Sequence, residues 1–197
     1  MMKDSIKNIV FDSAENGIIT SGKITELGLH RSVLQELLVS GEIIQNSRGI
    51  YTMADEWEDE YSILQHKYRR GIYSHETALY LLGYSERIPL NLHMTFPSGY
   101  NSAGVKKDNI IVTRVIEENY AIGLAVVKSP YDNEVYAYDL ERSLCDVLRG
   151  NRQDIQTVQY AMKKYAVSKD KDINKLMTYA ERLRVTSKVR KYMEILL

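Results

Sequence analysis

The sequence is narrowed first by what it lacks. It has one cysteine, Cys145, which cannot close an internal disulfide and fits a reducing compartment. No segment approaches the ~18 uninterrupted apolar residues of a membrane span. The N-terminal stretch MMKDSIKNIVFDSAENG is charged throughout and offers no apolar run for a signal peptide. Internal repeats and low-complexity segments are missing too. His30, His66, His75 and His93 are scattered, with no H-x-x-x-H spacing and no Cys/His cluster, so neither a zinc site nor a cofactor is expected. These absences point to a cytoplasmic protein with no contact with membranes.

What is present is ordinary in bulk and uneven in detail. The 197 residues are 44% hydrophobic and 26% charged, enough for one large domain or two small ones with a real core. The formal net charge of zero hides an asymmetry. Residues 149–197 hold twelve Lys/Arg against five Asp/Glu, while residues 71–148 hold six against ten. The acidic run DEWEDE, Asp55 to Glu60, separates the first 54 residues from the rest. Such asymmetry suits a polyanion or an acidic partner for the basic part, and equally suits solvated helix faces.

Residues 1–54 read as three helices and a hairpin. Ile6, Ile9, Val10 and Ala14 have helical spacing over Lys3 to Asn16, and Gly17 suits a helix stop. Thr20 or Ser21 then caps a short helix with Ile24 and Leu27 inward, ended by Gly28. A third helix from Arg31 to Ser40 buries Val33, Leu34, Leu37 and Leu38 and presents Arg31, Ser32, Gln35 and Val39 outward. Strands Glu42 to Gln45 and Ile50 to Met53 flank the turn Asn46-Ser47-Arg48-Gly49. Helix, tight turn, helix and hairpin make a winged helix-turn-helix. Its third helix would enter a DNA major groove through Arg31, Ser32 and Gln35, and the turn would lie over phosphates or the minor groove. The DNA-facing set is Ser21, Lys23, His30, Arg31, Ser32, Gln35, Asn46, Ser47 and Arg48, with Arg69 and Arg70 adding phosphate contacts or simply complementing a helix end.

Residues 55–70 read as a connecting helix, acidic at its start and basic at its end. Residues 71–197 read as a mixed α/β domain with a small sheet and a helical end, so the fold class is α+β. Ser74 or His75 starts a helix that stops near Gly83. Strands are expected over LNLHMTFPSG, Asn109 to Ile116, Tyr120 to Val127 and Asn133 to Tyr138. Asp139 caps a helix, DLERSLCDVLRG, and three more fit Gln153 to Tyr165, Asp172 to Leu183 and Thr186 to Leu196. Asp139 and Arg142, one turn apart, can form an exposed pair contributing roughly 0.2–0.5 kcal/mol.

Tempting chemistry is weak. GIITSGK, Gly17 to Lys23, matches most of a phosphate-binding loop but has Ile24 where Ser or Thr should hold magnesium. A nuclease using Asp139 or Glu141 would want a nearby lysine, and no Glu-x-Lys or Asp-x-Lys triplet occurs. No catalytic or metal-binding residue is therefore assigned. Residues 1–54 carry five Lys/Arg against six Asp/Glu, so DNA affinity must come from placement rather than from the sum. A winged domain that docks a protein remains the alternative.

Three stretches taken in order carry a family resemblance: GIITSGKITELGLHRSVLQELLVSGEIIQNSRGIYTM, YSHETALYLLGYSERIPLNLHMTFPSG and VYAYDLERSLCDVLRG. Together they resemble the AbiEi-type antitoxins, the transcriptional-regulator half of abortive-infection AbiE type IV toxin–antitoxin pairs, which act in phage resistance. The resemblance spans nearly the whole chain. It implies a winged domain that represses its own operon at inverted repeats in double-stranded DNA. It also implies a C-terminal antitoxin domain that counters a co-encoded nucleotidyltransferase-like toxin without a stable complex. The expected state is a monomer in solution, with two copies on DNA.

Overall fold

The computed structural model describes residues 4–150 and 154–196. Among these, ten α-helices and two small sheets make a mixed α/β protein. The chain divides into two compact units. One holds Met1–Arg69 with Ser129–Glu134, the other Arg70–Lys128 with Val135–Leu197.

The first unit begins with α1 (Asp4–Asp12), shorter than the helical spacing predicts. The predicted start at Lys3 lies outside the described residues. The early end has a local cause. Asn16 and Gly17 both take positive φ, 55° and 71°, and form the two-residue turn of a minimal hairpin. Glu15 and Ile18 exchange both backbone hydrogen bonds at 3.0 Å across it. Asn-Gly favours this turn because both residues tolerate left-handed backbone. Gly17 therefore makes a turn rather than a helix stop, and an unpredicted strand, β1 (Ile18–Thr20), follows. Thr20 caps α2 (Ser21–Glu26), its hydroxyl accepting the Lys23 N–H at 3.1 Å. Ile24 is fully buried as expected, but Leu27 is 41% exposed, and Leu29 packs against the core instead.

Helix α3 (Ser32–Val39) buries Val33, Leu34 and Leu37. Gly41, at φ 74°, releases the chain into β2 (Ile43–Ser47), which runs antiparallel to β3 (Ile50–Met53). The sheet order is β1-β3-β2. Val10, Ile19, Ile24, Leu34, Leu37, Ile43 and Tyr51 form the core beneath it. Fully burying each such side chain stabilises the fold by roughly 1.5–3 kcal/mol.

The acidic run is more than a separator. Asp59 is only 4% exposed and caps α4 (Glu60–Lys67). Its Oδ1 accepts the N–H groups of Tyr61 and Ser62. Its Oδ2 accepts the Ser129 hydroxyl at 2.5 Å and the Asn133 amide at 2.8 Å. Two of residues 129–134, which belong to this unit, thus meet on one carboxylate.

The second unit is built on a five-stranded sheet. Its strands are β4 (Ile72–Tyr73), β5 (His93–Pro97), β6 (Ile111–Val115), β7 (Leu124–Lys128) and β8 (Glu134–Tyr138). Their order is β6-β5-β4-β8-β7, with β4 antiparallel to β5 and the pairs β4–β8 and β5–β6 parallel. The two-residue β4 was not expected. Nor was α6 (Glu117–Tyr120), which takes Tyr120 out of the predicted strand. Helices α5 (His75–Leu81), α7 (Leu140–Arg149), α8 (Ile155–Val167), α9 (Ile173–Arg182) and α10 (Thr186–Leu196) complete the unit. Leu79, Leu144, Met162, Tyr165, Leu176 and Val189 share its main core.

Candidate nucleic-acid interface

In the first unit, α3 and the β2–β3 hairpin form two walls of a cleft of about 480 Å³. Its lining is Ser21, His30, Arg31, Ser32, Leu34, Gln35, Gln45, Arg48, Gly49 and Tyr51. Six of the sequence-predicted residues meet there: Ser21, His30, Arg31, Ser32, Gln35 and Arg48. No Asp or Glu lines the cleft, so a unit without basic excess presents a locally cationic surface. At about 8–10 Å of screening length this local arrangement governs the field, not the total.

Each wall is held in place. Arg31 sits at the N-cap of α3 without capping by its side chain. The cap role passes to His30, whose Nδ1 accepts the Ser32 N–H at 3.2 Å and lies 2.9 Å from the Ser32 hydroxyl. Arg31 Nε donates to Thr25 Oγ1 at 3.2 Å, which fixes the arm and leaves the outer guanidinium nitrogens available. On the other wall, the turn Arg48-Gly49 is tied to α2, because Ser21 N–H donates to the Gly49 carbonyl at 2.9 Å. A Cβ on Gly49 would stand 2.6 Å from Ser21 Oγ, and its φ of 78° also excludes most side chains. Arg31 and Arg48 are both exposed, and among the described residues neither forms an ion pair.

The remaining predicted residues sit elsewhere. Lys23 pairs with Glu15 at 3.4 Å, outside the cleft. Asn46 donates to Glu58 Oε1 and accepts from Thr52 Oγ1, both at 3.0 Å, so its side chain ties the hairpin to the acidic run. The Ser47 hydroxyl is buried and among the described residues has no partner, beside a bulge in β2. Arg69 closes the first unit and Arg70 opens the second, both exposed. Arg70 lies 4.0 Å from Glu117, and its carbonyl accepts the Tyr120 hydroxyl. Gln45, which faces Tyr51 across the hairpin, lines the cleft and was missed by the sequence reading. Its signal was available: an exposed amide one strand residue before the turn.

The second unit has a buried polar centre that the sequence left scattered. His75 and His93 stack with ring centroids 3.7 Å apart and planes 3° from parallel. Ser74 joins them, within 3.0 Å of His75 Nδ1 and accepting from Thr95. Burial pushes His75 down to about 3, helped by Arg142 and Arg149, and pushes His93 down to about 2, helped by His75. Arg142 does not make the expected exposed pair with Asp139. It is fully buried, donating from Nε to Asp146 at 3.0 Å and from Nη1 to the carbonyls of Asn119 and Ile122. The expectation failed because a helical spacing of three does not say which face is inside. Asp139 instead caps α7 and meets Lys175 of α9, as does Glu141. A lysine does reach these carboxylates, from more than 30 residues away, and it neutralises them as an ion-pair network.

No known protein-family profile matches the chain, and no curated protein matches it significantly. Among solved structures it is similar to the RV2827C protein from Mycobacterium tuberculosis. That crystal structure covers 96% of this chain with 79% of its own, at a TM-score of 0.54 and 14% identity. Identity that low shows a shared fold alone, consistent with the mixed α/β architecture. Among the described residues no helix is long and apolar enough to cross a membrane.

Proposed function

We propose that this chain is a DNA-binding regulator, with a winged helix-turn-helix in residues 1–54 and a second role as antitoxin in residues 71–197. The observation that carries the DNA reading is the acid-free cleft with its two unpaired arginines. The order helix, strand, helix, helix, hairpin suits a winged domain, with α3 as the reading helix and the Arg48 turn as the wing tip. Arg31, Ser32 and Gln35 would read a major groove, and Arg48 would neutralise phosphate or enter the minor groove. The resemblance to AbiEi-type antitoxins supplies the target, inverted repeats in the chain's own promoter, and the partner, a nucleotidyltransferase-like toxin met without a stable complex.

The test is a mobility shift of the full chain on DNA upstream of its gene, in a salt series, against random duplex. Preferred binding with a steep salt slope is expected. Equal binding to both duplexes removes the repressor role.

One observation favours a second reading as a protein-docking module. Trp57 is 88% exposed within the acidic run, and exposed tryptophans are common anchors of protein interfaces. Co-purification with a basic partner that Trp57→Ala abolishes would establish it.

A further inference from the structure

Gln45 shares the cleft with Gln35 but comes from the opposite wall. Among the described residues the two carboxamides are the only amide side chains in its lining, and both are exposed. Gln45 is already partly committed: its Nε2 donates to the Ser47 carbonyl at 3.3 Å. That bond fixes the amide plane and takes one of its two N–H donors. One donor and the carbonyl oxygen remain. Adenine alone among the bases offers the matching pair on its major-groove edge, an N7 acceptor beside an N6–H donor. The neutral amide is also a poor choice for phosphate where Arg31 and Arg48 already flank the cleft.

We infer that Gln45 is a further base-reading residue beside those of α3, so that the cleft takes duplex DNA presenting one A·T pair to Gln35 and another to Gln45. This rests on the DNA-binding reading above. The Ser47 carbonyl acts as a positioning group, because without it the Gln45 amide rotates freely and its donor–acceptor order is not fixed.

The experiment is selection from a duplex library with a randomised core, using the full chain and its Gln35→Ala and Gln45→Ala variants. Binding of the winning duplex is then measured. Wild type should enrich a motif with two A·T positions, each variant losing one of them. Gln45→Ala should also weaken the wild-type winner about 5- to 150-fold, the range for one bidentate base contact, with random duplex unchanged. The Gln45 side chain is exposed, and an unchanged thermal melt shows that the variant is folded. If Gln45→Ala enriches the same motif as wild type, or weakens all duplexes alike, the base-reading role is overturned while DNA binding stands. If wild type enriches nothing, the DNA-binding reading fails and this inference with it.

Discussion

Arg48 stands at the tip of a hairpin tied to α2 through the Gly49 carbonyl, and it has no carboxylate partner among the described residues. Replacing it with alanine should therefore cost phosphate contact and little else. Affinity should fall about equally for preferred and random duplex, and the slope of log affinity against log salt should flatten by roughly one unit. A loss of preference at an unchanged slope would show that Arg48 reads bases. Gln35→Ala should do the opposite, weakening the preferred duplex by roughly 1–3 kcal/mol and sparing random DNA. The outward position of Gln35 was legible in the sequence because α3 has a clear apolar stripe, which fixes its exposed face. Asn46 was not legible in this way. A turn asparagine looks available in sequence, and only the fold shows its amide spent on Glu58 and Thr52.

The elements with strong local chemistry followed the sequence: caps at Thr20 and Asp139, positive-φ glycines at Gly28 and Gly41, and the stripe of α3. Those that depend on distant partners did not. Strand β4 is two residues long and exists because β5 and β8 flank it. The role of Asp59 was hidden inside a run of exposed acids, since nothing nearby in sequence announces Ser129 and Asn133. Asp59→Ala should remove a helix cap and leave buried donors unpaired, destabilising the first unit by roughly 2–4 kcal/mol. Native-state hydrogen exchange at the α4 amides in a denaturant series would measure it; a loss below 0.5 kcal/mol, on the order of an ordinary surface substitution, would show the clasp to be unimportant. Asp59→Asn should keep part of the cap and fall between the two.

For the molecule as a whole, pH sets a visible demand on the second unit. His75 and His93 are neutral in their buried stack, with folded values depressed below the ordinary imidazole range. Their stabilising contribution is complete above about pH 6.5 and is lost as pH falls, because the unfolded chain takes up the protons. From pH 6.5 to 5 the pair should cost about 3 kcal/mol. Asp146 works the other way. Burial raises its carboxyl to about 6 against the pull of Arg142, so its penalty is relieved on acidification, by about 1 kcal/mol over the same interval. Denaturation at the two pH values should show a net fall of about 2 kcal/mol, and His93→Gln should shrink it. A stability that is flat or rises toward pH 5 in the wild type would contradict the neutral stack. The division into units carries a different consequence, one of timing. The first unit is completed by residues 129–134, so a nascent chain that has emitted Arg69 still lacks the partners of Asp59. At about 5–20 residues per second the ribosome needs roughly 3–13 s more to deliver them. The cap of α4 is thus completed only when much of the C-terminal half already exists, and a truncated translation product ending before Ser129 would emerge with the Asp59 carboxylate short of its two partners.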